Sequence, residues 1–323
     1  MSIRSLVIAG AAATVLLPSG ALAALPPWTV SSPADVKTSA SVVTANGHAV
    51  FLPTATSGKL VSVSADGKAL TRKANFKPIA ASAVGTDRFW AFGTTPAGRS
   101  VLTWGRAGSG ALYTRTLPKS AGLALSHAAN SSGDFVIAGG PNFIPRKTVG
   151  GWGARKGGAF KKVLTLGGKH AALRPAVAIS QDRKRVLVAW QQNRDVLVRT
   201  GSLSGKWGKV QKLQANSGVA QIHAAIQPDG RQLVVWRSSW SGLDTAGQGP
   251  LYLATAGNGQ SKVGAVQTVE PGIQGGVDHI LLRAGASGTV LAWDSVSTGA
   301  EQGVDSRVVR AALVTGGVAG APQ

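Results

Sequence analysis

The chain has 323 residues, no cysteine, and a formal net charge of +21 at pH 7, from 34 Lys and Arg against 13 Asp and Glu. The absence of cysteine excludes disulfides, thiolate catalysis and cysteine-ligated zinc sites together. The positive charge predicts attraction to polyanions and carries no information about the fold.

The N-terminus has the order of features that is typical of a secretory signal peptide. Arg4 precedes an apolar run from Leu6 to Leu17, which is followed by Pro18 and by the small-x-small sequence Ala21-Leu22-Ala23. We therefore expect residues 1–23 to be a signal peptide cut after Ala23, and the mature protein to be exported to the periplasm or the extracellular space. The apolar run is too short to span a bilayer comfortably, so we expect no transmembrane segment after cleavage.

Residues 24–323 are predicted to form a single domain built from repeats of one pattern. A short polar turn leads into an apolar strand that often ends in Trp, and further short strands follow. A period of several tens of residues that contains only strands is typical of a β-propeller. The clearest apolar strands of the pattern are Val186–Trp190, Leu233–Trp236 and Thr289–Trp293.

Counting the repeats predicts an all-β, six-bladed β-propeller with about four antiparallel strands per blade, although irregular loops leave five or seven blades open. The units begin near Ser41, Ile79, Leu125, Pro175, Ile222 and His279. The sixth unit lacks a convincing fourth strand, because residues 317–323 are rich in Gly, Ala and Pro. The segment Trp28–Ser31 is similar to the fourth strand of unit four, so we expect an N-terminal strand to close the ring and cover two sheet edges.

The turns of the repeat resemble those of a known family. Asp66-Gly67, Asp229-Gly230 and Ser287-Gly288, each before an apolar strand, resemble the repeat of TolB-type and related six-bladed propellers. This resemblance implies the propeller fold and assigns no functional subfamily. An intact sialidase-type Asp-box is absent from the sequence, so a sialidase activity is not implied.

The segment from Pro145 to His170 is the densest basic part of the chain. Its cations are interleaved with aromatic residues, and no acid occurs between Asp134 and Asp182. Basic residues with aromatics between them suit a phosphate- or sulfate-bearing polymer. The alternative is that the cations simply point outward on solvated strands. The predicted contacts to an anionic polymer are Lys147, Arg155, Lys156, Lys161 and Lys162.

Two connections are longer than the rest and form a second candidate site. Ser238–Pro250 and Asp294–Ser306 each link a second strand to a third, so in a propeller both lie on the same face. Their carboxylates suit glycoside hydrolysis or a Ca²⁺ ion, or they only balance nearby cations. The candidate residues of this long-loop face are Trp240, Asp244, Glu301 and Asp305.

The remaining chemistry-bearing residues give weaker patterns. The five histidines lack metal-ligand spacing, although His223 and His279 fall at or near first strands, which line the central channel of a propeller. The tryptophans that recur at strand ends are predicted to pack between blades. They are Trp104, Trp152, Trp190, Trp236 and Trp293.

The sequence therefore predicts a secreted, monomeric, non-enzymatic binding or scaffold module without catalytic residues, metal or cofactor. The predicted partner is an anionic polysaccharide or cell-wall polymer, or an envelope protein, bound through a basic surface. The alternative is a polysaccharide hydrolase or lyase that uses Asp244, Glu301 and Asp305 at the mouth of the channel. Whether the protein is an enzyme stays open at this point.

Overall fold

The computed structural model of the chain describes residues 38–44, 46–53, 58–84, 86–118, 123–140, 149–154, 161–166, 172–214, 219–238, 249–258, 260, 262–271, 280–285, 288–296 and 307–322. Every regular element among them is a β-strand. Within these ranges there is no helix that is long and apolar enough to cross a membrane.

The first three sheets are four-stranded antiparallel meanders in which strands adjacent in sequence pair with each other. Sheet 1 contains β1 (Thr38–Val43), β2 (Ala49–Pro53), β3 (Gly58–Val63) and β4 (Ala69–Ala74). Sheet 2 contains β5 (Lys77–Val84), β6 (Arg88–Thr94), β7 (Ser100–Arg106) and β8 (Leu112–Thr116). Sheet 3 contains β9 (Leu123–Ala129), β10 (Phe135–Gly140), β11 (Val149–Ala154) and β12 (Lys161–Leu166).

The other three sheets repeat the same topology. Sheet 4 contains β13 (Leu173–Ile179), β14 (Val186–Gln192), β15 (Asp195–Gly201) and β16 (Gln211–Gln214). Sheet 5 contains β17 (Val219–Ile226), β18 (Gln232–Ser238), β19 (Leu251–Ala256) and β20 (Val266–Glu270). Sheet 6 contains β21 (Ile280–Gly285), β22 (Gly288–Val296), β23 (Arg307–Thr315) and β24 (Val318–Ala319). The all-β propeller prediction is therefore confirmed at the level of repeated four-stranded sheets.

One turn geometry joins the first strand to the second in sheets 1, 3, 4 and 5. The backbone N–H of the first turn residue donates to the backbone carbonyl of the last turn residue. A third residue, which has a positive φ, donates its N–H to the carbonyl of the first residue. Glycine holds that left-handed position at Gly47, Gly133 and Gly230, with φ of 82–84°. Because glycine has no Cβ, it adopts this conformation without steric cost, which explains why the repeat shows a turn-terminal Gly.

Sheet 4 departs from this rule and gains an inter-sheet ion pair. Arg183 holds the left-handed position with φ 66°, where a non-glycine residue costs roughly 1–2 kcal/mol. Its guanidinium donates to both carboxylate oxygens of Asp134 in sheet 3, Nε to Oδ2 at 2.7 Å and Nη2 to Oδ1 at 3.1 Å. The Asp134 side chain is 1% exposed. Two charge-assisted hydrogen bonds to a buried carboxylate offset the strain of the turn.

Similar contacts link the first turns of sheets 1, 4 and 5 to the sheet that follows each of them. Between sheets 1 and 2 the N–H of Asn46 donates to the carbonyl of Thr86 at 2.9 Å. Between sheets 4 and 5 Arg185 donates to the carbonyl of Gly230 at 3.2 Å. Between sheets 5 and 6 the amide of Gln227 donates to the Thr289 hydroxyl at 2.7 Å. These bonds hold consecutive sheets together on the face opposite the long connections.

The apolar core lies between successive sheets. Separate buried clusters join sheets 1 and 2, 2 and 3, 3 and 4, 4 and 5, and 5 and 6. Trp190, Trp236 and Trp293, at most 2% exposed, each pack against the preceding sheet. Trp104 is half-buried and stacks on Tyr113. The side chain of Trp152 lies outside the described part. The predicted packing role of the recurring tryptophans is thus confirmed for the three that are fully buried.

Sheet 6 corrects one expectation. Residues 317–323 were expected to form no strand, but Val318–Ala319 pairs with Val314 and Thr315 as a fourth strand. The face of sheet 6 that points away from sheet 5 carries Leu281 and Val309, which are 41% and 67% exposed. Within the described ranges no core cluster joins this face to sheet 1. The closing strand predicted at Trp28–Ser31 lies outside the described residues and stays a prediction, as does the closed six-bladed ring.

The Asp134–Arg183 pair gives a stability prediction. We expect Asp134→Asn to lower the free energy of unfolding by about 1.5–3 kcal/mol, because it removes charge-assisted bonds from a buried carboxylate. Asp87→Asn is the matched control, because the Asp87–Arg106 pair is longer, 3.6 Å, and more exposed; its loss should stay below about 1 kcal/mol. Urea denaturation at pH 7 measures both. Equal losses in the two variants would contradict a special role for Asp134.

Candidate functional site

The structure describes only part of the predicted polymer-binding segment. Lys161 and Lys162 begin β12, the outermost strand of sheet 3, and both side chains are exposed. Lys147, Arg155 and Lys156 lie outside the described residues. The predicted contact surface is therefore represented in the structure by its last two lysines.

A tryptophan of sheet 4 brings further lysines to the same place, which the sequence analysis missed. The indole N–H of Trp207 donates to the carbonyl of Val163, the residue after Lys162, at 2.7 Å. Lys206 and Lys209 flank this tryptophan and are exposed. We call Lys161, Lys162, Lys206 and Lys209 the β12–Trp207 patch.

The position of Trp207 depends on a close approach to the backbone of β15. A Cβ atom on Gly201 would lie 2.3 Å from a ring carbon of Trp207, so only glycine leaves room for the indole there. The ring is part of the core cluster between sheets 3 and 4. The backbone next to Lys206 and Lys209 is therefore held in place by the packing of Trp207. The only sequence signal was Trp207 itself, at a strand end of unit four.

The described acids do not neutralise this patch, because each is engaged locally. Asp182 accepts hydrogen bonds from the Ser180 hydroxyl at 2.5 Å and the Lys184 N–H at 3.0 Å, and the Ser180 bond is the main cause that lowers its pKa. Every other described acid side chain forms an ion pair. These pairs are Asp66–Lys68, Asp87–Arg106, Asp134–Arg183, Asp195–Lys212, Asp229–Arg231 and Glu270–Arg310.

The structure places the ends of the two long connections as predicted. One begins after β18 and ends before β19, and the other begins after β22 and ends before β23, so both link second strands to third strands. At their base, Arg310 of sheet 6 donates to Glu270 of sheet 5 at 2.7 Å. The candidate residues Trp240, Asp244, Glu301 and Asp305 lie outside the described residues, and so the hydrolase or lyase alternative stays a prediction.

A second cluster lies on the first strands, of which β1 packs against β5, and β9, β13, β17 and β21 pack in succession. Arg283 of β21 donates from Nη1 to the hydroxyl of Ser82 in β5, at 3.4 Å. The charge of Arg283 also acts on His127 of β9 and His223 of β17. The sequence analysis placed His223 on a first strand, whereas it missed His127, Arg283 and Ser82; His279 lies outside the described residues.

Burial keeps both histidines of this cluster neutral. Desolvation, with a smaller contribution from repulsion by Arg283, lowers the pKa of His127 to about 3 and that of His223 to about 4. Desolvation also lowers the pKa of Arg283, although its side chain remains open to water. At neutral pH the cluster carries one guanidinium charge and two uncharged imidazoles.

The buried histidines predict an acid-sensitive fold. A histidine whose pKa is lowered on folding contributes stability that is present above its unfolded pKa of about 6.5 and is lost as pH falls towards the folded value. At pH 5 each histidine should cost up to about 2 kcal/mol relative to pH 7.5. Urea denaturation at the two pH values measures this loss. The interval from pH 7.5 to pH 5 lies above the pKa values of ordinary carboxylates, so the loss of stability in it reports on the histidines.

Replacing the histidines separates their effect from other titrations. His127→Gln should remove up to half of the loss, and adding His223→Gln should remove most of it. Imidazole signals in the NMR spectrum of the unmodified protein give the two pKa values without any substitution. A loss of stability that is unchanged in the double variant would contradict this assignment.

Comparisons with known proteins support the fold and go no further. Neither a family model nor a curated protein matches the sequence. The chain is similar to the β-propeller domain of the Trilobed protease from Pyrococcus furiosus, which has an open velcro topology. The TM-score is 0.52 and the identity 10%, over 84% of this chain and 80% of that domain. An ancestral GH74 enzyme is similar with a TM-score of 0.50 and 12% identity, over 80% of this chain and 39% of the enzyme.

TolB from Acinetobacter baumannii has a TM-score of 0.46 and 15% identity, over 86% of this chain and 66% of TolB. The chain thus spans about two thirds of TolB and well under half of the GH74 enzyme. At such identities the similarity shows a shared β-propeller fold, and functions must be argued from the residues of this chain.

Proposed function

We propose that this protein is an exported, non-enzymatic binding module that holds an anionic cell-envelope polymer against its basic surface. The observation that carries the proposal is the β12–Trp207 patch, in which exposed lysines of two sheets lie next to the partly buried Trp207 and its hydrogen bond to Val163. The partner has repeated phosphate, sulfate or carboxylate groups, because a row of separated ammonium groups matches repeated charges better than a single ion.

The distribution of acids supports this proposal. The described carboxylates lie next to lysines or arginines of their own turn, strand or neighbouring sheet, and none of the ion pairs includes a lysine of the patch. An anionic polymer that reaches the patch therefore does not compete with an internal carboxylate there. The positive potential of the whole chain, with a net charge of +21, adds a long-range attraction.

The rigid support of the patch adds to its affinity. The lysines of β12 are fixed by strand pairing, and Lys206 and Lys209 are fixed through Trp207 and the hydrogen bond to Val163. A preformed array loses less backbone entropy on binding than a disordered basic tail does. The remaining cost lies in ordering the lysine side chains themselves.

Charge reversal on the patch tests the proposal. We expect the variant Lys161→Glu/Lys162→Glu and the variant Lys206→Glu/Lys209→Glu each to weaken binding of residues 24–323 to an immobilised cell-wall phosphate polymer at least about 10-fold, since each lysine near an anionic surface contributes about 1 kcal/mol. Binding should also fall steeply between 50 and about 200 mM salt. Neutral glucan serves as the uncharged surface.

The matched control changes the net charge by the same amount elsewhere. Lys59 and Lys73 are exposed, pair across β3 and β4 in sheet 1, and lie outside the patch. Lys59→Glu/Lys73→Glu should lower affinity much less than either patch variant. Equal losses in all three variants would show that the net charge alone binds the polymer. Binding that is indifferent to salt would reject the electrostatic mechanism altogether.

A further inference from the structure

The first strands bring polar side chains from four sheets into one place. Arg283 and Ser82 are separated by 201 positions in the sequence, yet the guanidinium of one reaches the hydroxyl of the other. His127 and His223 come from two further sheets and lie within range of the same guanidinium charge. Such a convergence is independent of the β12–Trp207 patch, which lies on outermost strands.

This cluster contains a buried donor that has no described acceptor. Trp90 of β6 pairs directly with Ser82 across the sheet, and its ring lies edge-on to His127 with 4.2 Å between ring centroids. The side chain is 3% exposed, and its indole N–H has no hydrogen-bond partner within the described residues. A buried donor without an acceptor costs free energy, and so a group with acceptor oxygens next to it would be stabilising.

The cluster lacks a negative charge that would balance Arg283. The sequences of the six first strands contain neither Asp nor Glu. Within the described ranges no ion pair involves Arg283, whose guanidinium donates to the uncharged hydroxyl of Ser82. A guanidinium surrounded by strands, with hydroxyl, imidazole and indole groups close by, offers several donors and one positive charge.

We infer that the first strands of sheets 2, 3, 5 and 6 bind a small organic molecule between them through a single carboxylate, which pairs with the guanidinium of Arg283. The planar fork of a guanidinium matches the two oxygens of a carboxylate. Ser82 is positioned to donate its hydroxyl to the same group once Arg283 turns to the ligand. Trp90 and Phe92 are at most 3% exposed and pack against His127, so they hold its ring in place beside the cluster.

The charge of the cluster favours a monoanion over a dianion. Both imidazoles are neutral at pH 7, so the ligand meets one positive charge and not three. A carboxylate is balanced by that charge, whereas a phosphate dianion would leave one negative charge unpaired in a partly desolvated space. Carboxylates should therefore bind more tightly than phosphate or sulfate at equal ionic strength.

Acetate is the probe that tests this inference. Residues 24–323, labelled at the histidine rings, are titrated with sodium acetate against sodium chloride at constant ionic strength. We expect saturable shifts of the His127 and His223 signals and a rise in Tm that follows the same saturation curve. Phosphate and sulfate should give shifts at least about 10-fold weaker. No saturable shift with acetate, or tighter binding of phosphate, would overturn the inference.

Substitutions at Arg283 locate the site. Arg283→Gln should abolish the acetate response, and Arg283→Lys should weaken it at least about 10-fold, because lysine keeps the charge and loses the fork. Arg99→Gln, an exposed arginine in the turn between β6 and β7, is the control and should respond as the unmodified protein does. An acetate response retained in Arg283→Gln would overturn the assignment. Binding of the Arg283 variants to the cell-wall polymer should be unchanged, which separates this site from the patch.

Discussion

The fold depends on one requirement: strands with apolar residues on both faces must be covered on both faces. In β14 six of seven residues are buried, and in β18 Leu233 to Trp236 are all fully buried. A four-stranded meander with this composition cannot face water on either side, so each sheet needs a neighbour in front and one behind. In a β-propeller the sheets are arranged around an axis with their first strands innermost, and each sheet then has a neighbour on both faces. Sheet 6 has the same two-faced composition, and Leu281, Val309 and Leu313 mark the face that its described neighbours leave open.

The same requirement creates the channel and decides what can lie there. The first strands approach each other closely, and their sequences are rich in alanine, as in β5 and β17. Small residues leave a narrow space in which the few large polar side chains meet. Arg283, His127 and His223 are therefore neighbours because the sheets are arranged around a common axis, and not because of any local motif.

The contrast between local features and the arrangement of the sheets explains what the sequence could predict. Strand bounds and turns obey local rules, so the apolar run at Val186–Trp190 and the turn glycine Gly230 were visible in the sequence. Arg183 broke the turn rule for a non-local reason, its ion pair with Asp134. The fourth strand Val318–Ala319 was wrongly rejected on composition, because pairing to β23 outweighs the weak strand propensity of Gly and Ala. The channel cluster could not be predicted, since no local pattern gives the angular position of a sheet in the ring.

The two proposed sites use positive charge in physically different ways. Lysines of the β12–Trp207 patch project into water, where charges are screened beyond about 8 Å at physiological salt, so they attract a polymer only by acting in number. Arg283 acts alone, and its partial desolvation by the neighbouring strands means that its field is screened less than that of the lysines. The pairing of the described acids supports both proposals, because a carboxylate that is already paired within its own sheet or with the neighbouring sheet is not available to either site. In the two proposals the excess of basic residues over acids therefore acts once as an array of lysines and once as a single arginine.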